Sequence, residues 1–198
     1  MFKQKRGKSI RVDDLEDMLD ASYKKDRPFN IDGYTLDTEL STPTVAVYSK
    51  DHKAKITIRG TEGTLKDWLN NASYAIGNYE KTARFAEARD VVEKAKKKYD
   101  DIDMLGHSQG AVGARLLGKD AKNIIQVNPA YMGEKHLPNE TIIRSSRDPV
   151  SLLKTFTKGP NDITIPSISF NPLTEHSYNI LKRLPKDKII GKGLRKRY

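Results

Sequence analysis

The stretch LGHSQGAVGARLL sets Ser108 between Gly106 and Gly110. A serine hydroxyl is a poor nucleophile until a histidine takes its proton, and that histidine needs an acid to orient it. The pattern G-x-S-x-G therefore matters only in context. Here a short apolar segment, DIDMLG, precedes the serine, and a helical run, QGAVGARLLGK, follows it. That is the strand-to-helix setting of a nucleophile elbow. Glycines at 106 and 110 remove the Cβ atoms that would collide in so sharp a turn. The helix beginning after Ser108 would aim unpaired N–H groups and a positive dipole end at the reacting oxygen. The N–H of Gln109 would supply half of an oxyanion hole.

On such a fold the acid and then the histidine follow the serine in the chain. His52 precedes Ser108 and His107 lies within the elbow, leaving His136 and His176. Asp148 directly follows the strand-like TIIRSSR, where an acid at the end of a strand projects into a site, and only His176 comes after it. His136, in the polar turn MGEKHLPNE, reads as a surface residue. Each has a structural alternative: Asp148 before Pro149 as a turn-former, His176 as the cap of a helix HSYNILKRL. The ordered set favours chemistry.

Several elements must bring these residues together. VDDLEDMLDASYK puts Leu15, Met18, Leu19 and Ser22 on one helical face, and Asp13 with Glu16 resembles a capping box. TVAVYSK and AKITIRG alternate with β-branched residues and read as a hairpin or two neighbouring strands ending at Gly60. EKTARFAEARDVVEKAKKKY repeats Phe85, Ala88, Val91, Val92, Ala95 and Tyr99 at helical spacing. NIIQV and TIIRS are two further strands, and ITIPSISF is one short extended piece in a Pro- and Gly-punctuated region. TEGTLKDWLNNASYAIGNYE reads as loop with one helical turn. Strand, helix, strand, helix, strand predicts an α/β-hydrolase-like domain, with a mostly parallel central sheet, flanking helices and an N-terminal antiparallel strand pair.

The 198 residues suffice for one domain with a real core, without staples. There is no cysteine, so no disulfide forms, which suits a reducing compartment. No apolar run reaches the roughly 18 residues of a membrane span. None follows the basic start, so a secretory signal is not expected and a cytoplasmic or virion-associated setting is. Four scattered histidines without cysteine argue against a metal site, and no phosphate loop or cofactor motif is present. The net charge is +10, with +5 in residues 1–11 and +7 in residues 182–198, leaving −2 for residues 12–181. The chain thus divides into a basic N-terminal segment over 1–11, an α/β-hydrolase-like domain over 12–181 and a basic C-terminal tail over 182–198. The ends read as solvated tails or as anchors for an anionic membrane, with nucleic acid a less favoured partner.

Four blocks, in order from about residue 45 to 181, resemble the class 3 (fungal-lipase-like) lipases of the α/β-hydrolase fold. They are ITIRGTEGTLKDWLNN, LGHSQGAVGARLL, SSRDPVSLL and EHSYNIL. The resemblance implies Ser108 as nucleophile, His176 as base and then acid, and Asp148 as the orienting carboxylate. It adds Thr61 to Gln109 in the oxyanion hole, and gives Arg59 and Trp68 packing or loop-anchoring roles. It implies a lipase or phospholipase A activity on a lipid or ester substrate, with no cofactor and no metal. The chain lacks the disulfides and secretion signal of fungal members, and any lid must come from about residues 62–79 or 154–175. Compact, cysteine-free, basic-tailed forms also resemble lipase-like proteins of large DNA viruses. The alternative is a catalytically silent lipase-fold binding or virion-associated protein.

Overall fold

A computed structural model describes residues 10–61, 78–130, 135–149 and 159–191. It is built on an eight-stranded sheet in chain order. Strands β2 (Asn30–Ile31), β3 (Tyr34–Leu36), β4 (Val45–Lys50) and β5 (Lys53–Ile58) pair antiparallel. From β5 the sheet turns parallel through β6 (Asp101–His107), β7 (Asn123–Val127), β8 (Glu140–Ser145) and β9 (Ile163–Ile165). The hairpin between β4 and β5 closes on Asp51 and His52, and Asp51 takes the left-handed conformation (φ 55°) that tight strand turns require.

Helices cover both faces. α1 (Val12–Tyr23) lies on one face, where Leu15, Met18 and Leu19 join Tyr48, Leu105, Ile125, Val127 and Ile143. α2 (Ala83–Lys98) lies on the other, where Ala88, Val91, Val92 and Ala95 meet Val47, Ile56, Met104 and Ile124. Adjacent residues such as Met104 and Leu105, or Ile124 and Ile125, feed opposite clusters, as the two-residue period of a strand dictates. Strands buried on both faces therefore read as continuous apolar runs, which is why MLG and NIIQV show no polar alternation. α3 (Gln109–Leu117) follows β6, and α2 ends before Tyr99, whose hydroxyl leaves the helix path to donate to Asp37 at 2.5 Å.

The expected capping box of α1 does not form. The helix begins at Val12, because burial of Ile10 and Val12 pulls the chain into the core there. Its first N–H groups are satisfied instead by backbone: Val12 donates to the Lys188 carbonyl (2.9 Å) and Asp13 to that of Lys186 (3.1 Å). Asp14 is taken by the Arg11 guanidinium through two 2.9 Å bonds.

The segment after residue 181 folds back as far as it is described. Strand β10 (Ile189–Ile190) pairs with β1 (Ile10–Arg11), and Ile190 is buried. Lys182 and Lys186 reach Glu16 and Asp13 across this seam. The basic residues of 1–9 and 192–198 lie outside the described residues. Among the described residues no helix is long and apolar enough to cross a membrane.

If α1 is part of the core, Leu19→Ala will lower unfolding stability by about 2–5 kcal/mol. The exposed Phe29→Ser will change it by about 0.5 kcal/mol or less. Urea unfolding of the two variants checks this.

Candidate active site

The elbow sits where β6 ends and α3 begins. Ser108 adopts φ 55° and ψ −124°, a conformation that costs a non-glycine residue on the order of 1–3 kcal/mol. A Cβ on Gly106 would lie 2.5 Å from the Gly110 carbonyl oxygen and 2.6 Å from the Ala111 nitrogen, the crossing expected of the turn. Gly110 answers to a different neighbour. A Cβ there would come within 2.1 Å of the Ile58 carbonyl oxygen, because the helix start lies against the end of β5.

His176 bridges the other two residues. Its Nε2 is 2.9 Å from Ser108 Oγ and its Nδ1 is 2.8 Å from Asp148 Oδ1. Asp148 is fully buried in the turn after β8, its N–H donating to the Ser145 carbonyl at 3.3 Å. Since the carboxylate accepts from Nδ1–H, Nε2 is left with its lone pair toward the serine hydroxyl. His176 ends the short helix α4 (Pro172–His176), which Asn171 caps by accepting from the Leu173 N–H at 2.9 Å. It does not cap the following turn. That part falls to Ser177, at the start of the 3₁₀ segment Tyr178–Arg183. The imidazole instead meets Ser108 and Asp148.

The residue before His176 anchors this arm. The buried Glu175 carboxylate accepts from Ser145 Oγ, from the N–H groups of Ile168 and Ser169, and from both ends of the Arg183 guanidinium (2.8 and 3.1 Å). Burial alone would raise its pKa, but these donors, Arg183 foremost, hold it down at about 2.

His107, inside the elbow, is buried beside the site. Burial foremost, and then the neighbouring His176, depress its pKa to about 3, so the ring is neutral. Its Nε2–H donates to the His176 carbonyl at 2.8 Å, leaving Nδ1 to accept from the Tyr23 hydroxyl at 2.7 Å. The Tyr23 oxygen in turn accepts from the Gly60 N–H at 2.8 Å. Gly60 precedes Thr61, and a Cβ on it would lie 3.1 Å from Ser108 Cβ, so the end of β5 runs alongside the nucleophile. Arg84, on α2, fixes that strand end by donating to the carbonyls of Arg59 (2.8 Å) and Gly60 (2.6 Å). Thr61 is exposed, and Gln109 is the first residue of α3.

The other histidines stand apart from Ser108. His52 lies in the β4–β5 turn and is exposed. His136 is not the surface residue its polar context predicts: it is largely buried, with Nε2 2.9 Å from Asp162 and Nδ1 3.0 Å from the Leu137 carbonyl. The missing cue is Asp162, which is 26 residues away and becomes a neighbour only through pairing of β8 with β9. Trp68, residues 62–77 of the first lid candidate and 154–158 of the second lie outside the described residues; the rest of the second carries β9 and most of α4. Among the described residues no group of three or more His, Asp or Glu side chains is placed to hold a metal ion.

The segment leading to His176 exposes three apolar side chains. Ile168, Phe170 and Leu173 are 76, 90 and 57% exposed, and the Arg147 guanidinium stacks 4.5 Å from the Phe170 ring centre.

No protein-family model matches this sequence, and no curated protein matches it. What the chain itself establishes is an α/β-hydrolase-like fold with a Ser-His-Asp arrangement at its strand-to-helix turn.

Two outcomes follow. Gly110→Ala will destabilise the protein by about 3 kcal/mol, because its contact is backbone that cannot swing away; thermal unfolding reads this as a midpoint lower by roughly 6–12 °C. The Glu175 pKa is lower folded than unfolded, so its stabilisation is complete above about pH 4.5 and is lost as pH falls toward 2. Glu175→Gln will therefore be less stable at pH 7, with a shallower loss across that window in melts at stepped pH.

Proposed function

We propose that the protein is a serine carboxylic-ester hydrolase acting on lipid, of lipase or phospholipase A type. The observation that carries the reading is the single imidazole of His176 within hydrogen-bonding distance of both Ser108 Oγ and Asp148 Oδ1. His176 Nε2 takes the hydroxyl proton as Ser108 Oγ attacks the ester carbonyl carbon. Asp148 holds the ring in the right tautomer and stabilises the imidazolium that forms. The C–O bond to the alcohol then breaks, with His176 returning the proton to the leaving oxygen. Water, activated by the same nitrogen, releases the acid and restores the serine.

The developing oxyanion would be met by the N–H of Gln109, at the start of α3, and by that of Thr61, after the strand end that Arg84 and Tyr23 hold. Such donors are each worth roughly 3 kcal/mol in the transition state. Glycines 106 and 110 serve by letting the elbow close. The choice of lipid among esters is supported by the exposed Ile168, Phe170 and Leu173 in the segment leading to His176, and by basic ends suited to an anionic surface.

Ser108→Ala will lower turnover of a short-chain nitrophenyl ester by about 10³-fold or more while keeping the wild-type melting temperature within a few degrees. Undiminished turnover in that variant would remove Ser108 as nucleophile. Phospholipid and triglyceride emulsions assayed beside water-soluble esters decide the substrate class: a preference for the soluble esters alone would contradict the lipid assignment.

A further inference from the structure

Three successive carbonyls flank and include the proposed base, and side chains from outside its arm catch all three. The Asn128 amide donates to the carbonyls of Glu175 (2.9 Å) and Ser177 (3.1 Å), and His107 Nε2–H donates to that of His176 between them (2.8 Å). Asn128 is itself fixed. It is fully buried just past β7, its N–H donates to the Ile143 carbonyl at 2.8 Å, and its Oδ1 accepts from the Ser145 N–H at 3.0 Å. Its φ of 42° is a left-handed conformation that asparagine tolerates better than most residues. His107 is fixed from the far side by the Tyr23 hydroxyl, and Tyr23 stacks on Tyr178 two residues past His176 (5.6 Å, 17°).

We propose that Asn128 and His107 form one clamp that positions His176, acting on its backbone and never on the substrate. His176 stands at the end of a five-residue helix, followed at once by a different helical type, so its own secondary structure cannot hold the ring in place. The clamp ties the arm to the ends of β6 and β7, the strands that carry Ser108 and Asn128. Base and nucleophile are thus referenced to one rigid frame. Through Tyr23 and the Gly60 N–H the same hydrogen-bond chain reaches the strand end preceding Thr61. The proposal rests on the reading of Ser108 and His176 as nucleophile and base.

The test uses the full chain and three variants. Asn128→Gly keeps the backbone conformation and removes both amide donors. His107→Phe keeps an aromatic ring, somewhat larger than imidazole, and removes the donor to the His176 carbonyl, and His107→Gln restores an N–H there. Steady-state hydrolysis of a nitrophenyl ester separates kcat from KM, and the rate of covalent labelling by a fluorophosphonate reports on Ser108 reactivity. A positional error of about 1 Å at a catalytic group can cost roughly 100-fold. Asn128→Gly and His107→Phe are therefore each expected to lower kcat and the labelling rate by at least about fivefold, with KM within twofold. The double variant should fall well short of the product of the two losses, because the groups act as a unit. His107→Gln should recover most of the His107→Phe loss, and this comparison stands even if Asn128→Gly fails to fold. Losses below fivefold in both variants, a rise in KM alone, or no recovery in His107→Gln would each overturn the clamp while leaving the nucleophile assignment intact. A wild-type protein that neither hydrolyses the ester nor reacts with the probe would overturn both.

Discussion

The structure turns on the conformation of one residue. Ser108 is held at a positive φ between the last residue of a buried parallel strand and the first of a helix. Nothing local favours that backbone; it persists because β6 is locked on both sides, by β5 and β7, and because α3 packs hard against the end of β5. The glycine pair is the sequence's record of that crowding, each glycine with its own obstacle: the α3 backbone at Gly106 and the β5 carbonyls at Gly110. The strain points the hydroxyl away from the sheet and toward the arm bearing His176.

Everything else near the site serves to bring that arm back. His176 is 68 residues beyond Ser108, on a five-residue helix with little stability of its own. Its place is set by buried polar contacts: Glu175 with Arg183 and Ser145, Asn128 with two carbonyls, and His107 with a third. Buried polar groups are costly unless fully satisfied, and a satisfied set specifies one arrangement more sharply than apolar packing can. Depressed pKa values leave both His107 and Glu175 deprotonated, with opposite consequences for charge. Burial keeps His107 neutral so that it can both donate and accept, whereas the ring of donors keeps Glu175 charged despite its burial.

Much of this was legible in the residues. Apolar runs and helical spacing gave β4 to β8, α2 and α3 in order, and the order rule for serine, acid and histidine named the three residues that meet. What escaped has a common cause. Tyr23, Arg84, Asn128 and Glu175 each act through at least one partner 24 to 84 residues away, and no periodicity marks a residue whose contact is made by topology. The capping box of α1 failed for the same reason, since its first N–H groups are met by the carbonyls of Lys186 and Lys188 from the other end of the chain. Short-range rules see caps and turns, and they miss a seam between the two ends of the described chain.

The central claim is that Ser108 becomes covalently acylated during turnover. Rapid mixing with a nitrophenyl ester, acid quenching within the first turnover and peptide mass mapping test it directly. The account predicts one acyl group on the peptide containing Ser108, with nitrophenol released in a burst matching the enzyme concentration wherever deacylation limits turnover. Hydrolysis with the acyl group trapped on any other residue would contradict it.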